Sequence, residues 1–99
     1  MSRYRATHAE HLRLALLRLL ERAPGRSAND AVLRDALAAL GFRASRDLVR
    51  ATLAWLAEHD LVALEPVGHL TVATATERGA DVAEGLALHP GVRRPEPDA

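Results

Sequence analysis

The spacing of apolar positions along the chain predicts four amphipathic helices and one β-hairpin. Apolar residues recur every three or four positions in segments that begin near residues 8, 28, 46 and 77, which is the period of a helix with one buried face. Two short apolar runs, 61–64 and 69–73, flank Pro66 and Gly68 and predict a tight two-stranded hairpin. The predicted order is therefore helix, helix, helix, hairpin, helix.

Polar residues near the helix ends set the expected boundaries. Three segments have the spacing of a capping box and predict N-caps for the first, second and fourth helices: Thr7–Glu10, Ser27–Asp30 and Thr74–Glu77. The first helix is expected to begin at His8, after a loose lead-in. Pro24-Gly25 is expected to end it, and Gly41 is expected to end the second helix.

The third helix, over residues 46–59, raises the functional question for the whole chain. Ser45 is expected to cap it, and its apolar face combines Leu48, Val49, Thr52, Leu53, Leu56 and Ala57. The opposite face carries Asp47, Arg50, Ala51, Ala54 and Glu58. Only residues 41–44 separate this helix from the second one, which is the pattern of a helix-turn-helix.

The composition fits one mainly α-helical (α+β) domain and excludes several kinds of function. The chain has 99 residues, 48% of them apolar, and no Cys, which excludes disulfides, thiol catalysis and Cys-based zinc sites. It holds no Gly-rich phosphate loop and no Ser/His/Asp arrangement, so we expect neither enzyme activity nor a cofactor. It also holds no apolar segment typical of a membrane span or a secretion signal, so we expect a cytoplasmic protein.

The charge is balanced over the whole chain but uneven along it. Thirteen Arg offset thirteen Asp and Glu, whereas DNA-binding domains usually carry a basic excess. Residues 1–26 hold six Arg and two Glu, while residues 61–92 hold one Arg and four acidic residues. Arg13, Arg18 and Arg22 form a basic face that is either a site for DNA or an acidic partner, or an ordinary solvated surface.

Several motifs resemble winged-helix regulators of the ArsR and MarR groups. Trp55-Leu56 followed by Leu61-Val62 is similar to their junction between recognition helix and wing, and Thr76-Glu77-Arg78-Gly79 to the start of the next helix. With Pro90-Gly91-Val92-Arg93-Arg94-Pro95, the chain resembles a small winged-helix family of Mu-like prophages. The resemblance implies an ArsR-like transcriptional regulator with a winged helix-turn-helix domain over residues 1–88. The Pro-rich composition of residues 89–99 predicts a flexible tail.

A winged helix of this kind would read DNA with the outer face of its third helix. Residues in the N-terminal half of that face would meet base edges in the major groove, where Arg can pair with guanine and Asp can accept from cytosine. The candidate DNA-binding residues, on this helix and at the wing tip, are Arg46, Asp47, Arg50, Ala51, Ala54 and His69. Glu58 and Asp60 would repel phosphate, and the tip over residues 65–69 holds no Arg or Lys.

The alternative is a phage protein-interaction module that uses the same fold and binds no DNA. The net charge of zero and the acidic fourth helix fit this interpretation. One form of it is a homodimer through the first and last helices, whose regions carry opposite net charge.

For a few single residues, the sequence is compatible with more than one role. Trp55 is either a core-edge residue that packs against the wing or an anchor for a partner. His8 and His11 have a spacing that can bind a metal, but soft-metal sensors use Cys, so we expect surface histidines and no metal site. Arg93 and Arg94 are either a flexible arm that touches DNA or solvated residues of the tail.

Overall fold

The computed structural model describes residues 3–96, which form an α+β domain of four α-helices and one three-stranded antiparallel sheet. The elements are α1 (Arg3–Arg22), β1 (Ser27–Asn29), α2 (Asp30–Ala39), α3 (Arg46–Glu58), β2 (Val62–Val67), β3 (Leu70–Ala75) and α4 (Glu77–Glu84). A 3₁₀ turn over Pro24–Arg26 links α1 to β1. The predicted α+β class, the four helices and the hairpin of β2 and β3 are confirmed.

α1 is longer than the sequence predicts, because it begins at Arg3 instead of His8. Arg and Ala are strong helix formers, and neither Gly nor Pro interrupts the chain before Pro24. Thr7 therefore lies inside α1 and is not its N-cap. The end of α1 at Arg22, just before the 3₁₀ turn, agrees with the prediction.

The sheet contains a third strand where the sequence predicts only a hairpin. β3 lies in the middle, between β2 and the three-residue strand β1. In the register of β1 on β3, Ser27 lies opposite Thr74, and the Thr74 hydroxyl donates a hydrogen bond to the Ser27 hydroxyl at 3.0 Å. A run of three residues has no recognisable period, so pairing with a distant strand, and not local pattern, creates β1.

The same pairing explains why two predicted caps are wrong. Ser27 and Thr74 were expected to cap α2 and α4, but they are cross-strand neighbours. The side chain of Asn29 caps α2 instead, and the hydroxyl of Thr76 caps α4, in each case by accepting from the backbone amide three residues ahead. The predicted cap of α3 is confirmed, since the Ser45 hydroxyl accepts from the Leu48 amide at 3.0 Å.

One hydrophobic core holds the helices against the sheet. Its largest fully buried apolar side chains come from the three long helices and the residue before β2: Leu12, Leu16, Leu17, Leu20, Leu33, Leu37, Val49, Leu53, Leu56 and Leu61. Each such side chain contributes about 1.5–3 kcal/mol when it is removed from water. Packing therefore determines the fold more than the intrinsic preference of any one helix does.

α4 packs against α1 within the same chain. A Cβ atom on Gly79 would collide with the carbonyl oxygen of Leu61, so glycine at this position allows α4 to approach the start of β2. The basic N-terminal region and the acidic helix α4, whose opposite signs motivate the predicted homodimer, thus meet inside one chain.

The packed structure continues past residue 88, where the sequence predicts a flexible tail. Val92 is buried with 6% of its surface exposed and belongs to the hydrophobic core. The Arg93 amide donates a hydrogen bond to the carbonyl of Glu10 in α1, at 3.1 Å. The buried Val92 and this hydrogen bond place residues 89–96 against the domain despite their Pro-rich composition. Residues 97–99 of the predicted tail lie outside the described residues.

Over residues 3–96, none of the helices combines the length and the apolar character that crossing a membrane requires.

Candidate nucleic-acid interface

α3 presents one buried and one exposed face, as the sequence predicts. Val49, Leu53 and Leu56 are fully buried in the core. Four of the six candidate DNA-binding residues are exposed on the opposite side of the helix: Asp47, Arg50, Ala51 and Ala54. Arg46, the first residue of the helix, is half-buried, and His69 is exposed in the turn between β2 and β3.

A buried carboxylate lies behind the N-terminal turns of α3. Asp30, the first residue of α2, has no exposed surface. Its Oδ2 atom accepts hydrogen bonds from Nε of Arg46 at 3.0 Å and from Nε of Arg50 at 2.6 Å. Its Oδ1 atom accepts from the backbone amide of Thr71 in β3 at 3.1 Å. One carboxylate therefore joins α2, α3 and β3.

These contacts keep Asp30 ionised. Burial by itself would raise the pKa of the Asp30 carboxyl, because it disfavours the charged form. The hydrogen bonds from Arg46, Arg50 and the Thr71 amide outweigh burial and hold that pKa well below its ordinary value. Asp30 is therefore a permanent negative charge that fixes two permanent positive charges in place.

The same two arginines also bind the tip of the hairpin. Nη2 of Arg46 donates to the backbone carbonyl of His69 at 2.7 Å, and Nη2 of Arg50 donates to the same oxygen. His69 thus belongs to the site through its carbonyl, whereas the sequence prediction concerned its side chain. The shared oxygen fixes the position of the hairpin turn relative to the N-terminal end of α3.

The remaining donors of the arginine pair define what the site can bind. A guanidinium group carries five N–H donors, and each of these arginines uses one at Nε and one at Nη2 for the contacts above. Among the hydrogen bonds of the described residues, both Nη1 protons and one Nη2 proton of each group are uncommitted. That end of a guanidinium can make two parallel hydrogen bonds to a phosphate or to the O6 and N7 atoms of guanine. The side chains of Arg46 and Arg50 are 35% and 42% exposed, so this end is accessible.

Two features of this site could not be predicted from the sequence. Asp30 fits a capping box with Ser27, so a local pattern already accounts for it, and nothing in the sequence indicates that it is buried beside two arginines. The carbonyl of His69 is a backbone group that any residue could provide. The available signal is the four-residue spacing of Arg46 and Arg50, which places both side chains on one side of the helix.

A second cluster lies near the C-terminal end of α3. Trp55 is half-buried, and its ring stacks on the imidazole of His59 with 3.9 Å between ring centroids. The Arg13 guanidinium from α1 lies 3.8 Å from the centre of the Trp55 ring. His89 approaches the same ring edge-on, with 5.4 Å between centroids. Trp55 therefore lies at the edge of the core, but α1 and the C-terminal residues cover its ring, where the sequence analysis expected packing against the wing.

The histidines near the start of α1 give no sign of a metal site. The His8 ring lies 5.9 Å from the ring of Phe42, in a tilted aromatic contact. Within residues 3–96, no group of three or more His, Asp or Glu side chains is arranged to hold a metal ion.

Comparison with known proteins adds a family to this geometry. The chain is 47% identical, over 90 residues, to the uncharacterized protein gp26 of Escherichia phage Mu, an alignment that covers 91% of this chain and 93% of the phage protein. It is also 43% identical over 68 residues to an uncharacterized protein of Haemophilus influenzae, across 67% of this chain and 65% of that protein. No protein-family model matches the chain.

The fold and these relatives define a small α+β protein of phage type. The chain belongs to the family of the phage Mu protein gp26.

Proposed function

We propose that the chain is a winged-helix DNA-binding protein, an ArsR-like transcriptional regulator of prophage origin, and that it performs no catalysis. α2 and α3 form the helix-turn-helix in this proposal, α3 is the recognition helix, and β2 with β3 is the wing. The observation that carries it is the arginine pair on α3, which Asp30 and the His69 carbonyl hold at the junction of helix and hairpin.

The fixed orientation of the arginine pair bears on the objection that the chain has no net positive charge. Two guanidinium groups around the Asp30 carboxylate leave an excess of one positive charge, which the exposed Asp47 in the first turn of α3 offsets. Fixed donors also lose little side-chain entropy when they bind a ligand. In this proposal, the prior orientation of the two guanidinium groups compensates for the basic excess that most DNA-binding domains have.

The rest of the exposed face of α3 is compatible with a major groove. Ala51 and Ala54 are exposed and small, which allows the helix backbone to approach the base edges. Asp47 can accept a hydrogen bond from cytosine. Glu58 and Asp60 lie at the far end of the helix, so in this pose they would sit away from the bases that Arg46 and Arg50 read.

The test measures binding to a labelled mixed-sequence DNA duplex by fluorescence anisotropy at several salt concentrations. We expect binding that weakens steeply with salt, because each phosphate contact releases counterions. The informative variant is Ala51→Glu, which adds a carboxylate to the exposed face of α3 and leaves the contacts of Asp30 intact. We expect it to abolish binding while the circular dichroism spectrum is unchanged.

The matched control is Arg34→Ala, which removes an exposed arginine of α2 that pairs only with its neighbour Asp35 among the contacts of the described residues. It should bind DNA like the unaltered protein. Binding no stronger than that of a neutral control protein, or a binding constant that does not change with salt, would disprove the proposal.

The alternative proposal is a protein-interaction module, and the apolar exposed surface supports it. Val67 near the hairpin tip is 50% exposed, and Leu86 and Leu88, just after α4, are 76% and 65% exposed. Because α1 and α4 already cover each other, a homodimer would have to use the remaining faces of these helices. Sedimentation equilibrium at micromolar concentration tests this version, and a strict monomer would exclude it.

A further inference from the structure

The residues after α4 are held on the domain by a short chain of polar contacts, and we call residues 89–96 the C-terminal strap. Arg13 of α1 donates from Nη1 to the carbonyl of Gly91 at 2.8 Å. Nε2 of His89 lies 3.2 Å from Nδ1 of His59, the residue at the C-terminal end of α3. Inside the strap, the Gly91 amide donates to Nδ1 of His89 at 3.0 Å.

Close packing adds to these contacts at one point. A Cβ atom on Gly91 would lie 2.5 Å and 2.6 Å from two carbon atoms of the Trp55 ring, which is closer than van der Waals contact allows. The backbone of the strap therefore lies directly on the indole. This is the reason that a glycine, and not a larger residue, fits between Trp55 and Arg13.

The directions of the hydrogen bonds assign the protons of both histidines. Nδ1 of His89 accepts from the Gly91 amide, so neutral His89 carries its proton on Nε2. That proton is donated to Nδ1 of His59, which must be unprotonated. Each imidazole therefore takes part in this arrangement only in its neutral form.

Protonation of either ring breaks the chain of contacts. A proton added to His59 would go to Nδ1 and face the N–H group of His89, so that two donors would oppose each other. A proton added to His89 would go to Nδ1 and oppose the Gly91 amide in the same way. Either event removes one hydrogen bond of the strap and adds a positive charge to the cluster.

The charged groups around His89 oppose that added charge. Burial lowers the pKa of His89, and His59 on α3, Arg78 on α4 and Arg13 on α1 lower it further. Glu10, on the same helix, is an acidic neighbour of Arg13. The docked strap therefore binds fewer protons than a released strap, in which His89 would titrate near its ordinary pKa of 6.5.

We propose that the C-terminal strap is a pH-sensitive element, which is docked on α1 and α3 while His89 is neutral and is released, uncovering Trp55, when His89 is protonated. The sign follows from linkage: docking is fully favourable above the ordinary histidine pKa and weakens as the pH falls below it. Release would uncover the side of Trp55 that the strap covers, next to the open groove between α1 and α3 that Trp55 and Arg13 also line. That groove adjoins the outer face of α3 at Ala51, so release of the strap can alter what this face of α3 binds.

The chain provides its own reporter for the test, because Trp55 is its only tryptophan. The full-length protein is titrated from about pH 7.5 to about pH 5, which spans the histidine range. We expect the Trp55 emission to move to longer wavelength and its quenching by acrylamide to increase, while the far-ultraviolet circular dichroism is constant. Amide exchange measured by nuclear magnetic resonance should show lost protection at Gly91 and Arg93 over the same pH range.

Two variants separate the histidine pair from other causes. In His89→Ala, the emission should already be at long wavelength at neutral pH and should no longer depend on pH. His11→Ala, which removes an exposed histidine of α1, should keep the full transition. An emission that is independent of pH in the unaltered protein would overturn the proposal. So would a transition that persists in His89→Ala, or one in which the helices unfold together with the strap.

Discussion

The two ends of α3 are each joined to another part of the chain, but by chemically different means. At the N-terminal end, Arg46 and Arg50 bind the carboxylate of Asp30 and the carbonyl of His69, so ionised groups of opposite sign hold the hairpin. At the C-terminal end, neutral imidazoles and an indole hold the strap, and the nearby charges around His89 are mainly positive.

This difference gives the two ends different sensitivity to pH. The pKa of Asp30 is held well below its ordinary value of 3.8, so the contacts at the N-terminal end stabilise the fold above that pH and are lost only as the pH falls further. The pKa of His89 is lowered from 6.5, so the contacts at the other end weaken within a range closer to neutrality. One helix thus carries an ionic junction at its N-terminal end and, in the proposal above, a pH-dependent junction at its C-terminal end.

The largest loss of stability is expected from Asp30→Ala, which removes the carboxylate that Arg46 and Arg50 share. The variant would leave the Thr71 amide without its acceptor and two arginines without their shared carboxylate. We expect the free energy of unfolding to fall by about 3 kcal/mol, at the lower end for a broken buried ion pair because the arginines are partly exposed. Urea unfolding followed by circular dichroism measures it.

The matched control for Asp30→Ala is Asp35→Ala, which lies on the same helix. The Asp35 side chain is 76% exposed and pairs with Arg34, so its loss should change the stability by less than about 0.5 kcal/mol. Equal effects of the two substitutions would contradict the role assigned to Asp30. The decrease in the free energy of unfolding below about pH 4 should also be absent in Asp30→Ala but present in Asp35→Ala.

The second largest effect is expected at the other end of the helix, in Gly91→Ala. Its Cβ atom would overlap the Trp55 ring, and an indole held by Arg13 and His59 has little room to move. We expect a loss of about 2 kcal/mol, typical of inserting a carbon atom into a packed site. The emission of Trp55 should move to longer wavelength at neutral pH. Unchanged emission and stability would show that the strap does not lie on the indole.

Comparison of the two ends also shows what the sequence could predict. The four helices, the hairpin and the exposed face of α3 follow from local patterns, because a helical period and a turn signal need only neighbouring residues. Ser45 is a correct cap for the same reason. The class of the fold and the position of most candidate residues on it could therefore be predicted.

The remaining features depend on residues that are distant in the sequence. Ser27 and Thr74 have the spacing of N-caps, yet they pair with each other across the sheet, and no local rule contains that contact. Asp30 reaches Arg46 and Arg50 from another helix, and His89 reaches His59 from beyond α4. The long-range contacts that could not be predicted therefore involve polar residues such as Ser27 and Asp30, whose spacing also fits an ordinary local role.

A smaller effect is expected from Ser45→Ala, which weakens the start of α3 without touching the arginine pair. The Ser45 hydroxyl satisfies the Leu48 amide, and loss of an N-cap of this kind costs about 1 kcal/mol. If the ion pairs around Asp30 hold the first turn in place, DNA binding by Ser45→Ala should be unchanged at temperatures where the variant is folded. A loss of binding as large as that of Ala51→Glu would show that the cap, and not Asp30, positions the arginines.

The smallest change in stability, but a diagnostic change in pH dependence, is expected from Arg13→Gln. Glutamine can still donate to the carbonyl of Gly91, but it removes the positive charge beside His89. Since Arg13 is one of the groups that lower the pKa of His89 in the docked strap, its neutralisation should raise that pKa towards the value of the released strap. The docked strap then accepts the proton more readily, so release should need a lower pH. The change in unfolding free energy should be about 1 kcal/mol or less, because glutamine keeps the hydrogen bond to Gly91 and only the cation–π contact of the half-buried Arg13 is lost. Arg18→Gln, which alters an arginine on the side of α1 that faces Leu40 and Phe42, should leave the midpoint of the Trp55 transition unchanged. A midpoint that moves to higher pH in Arg13→Gln, or one that moves equally in both variants, would mean that charge near His89 does not control the strap.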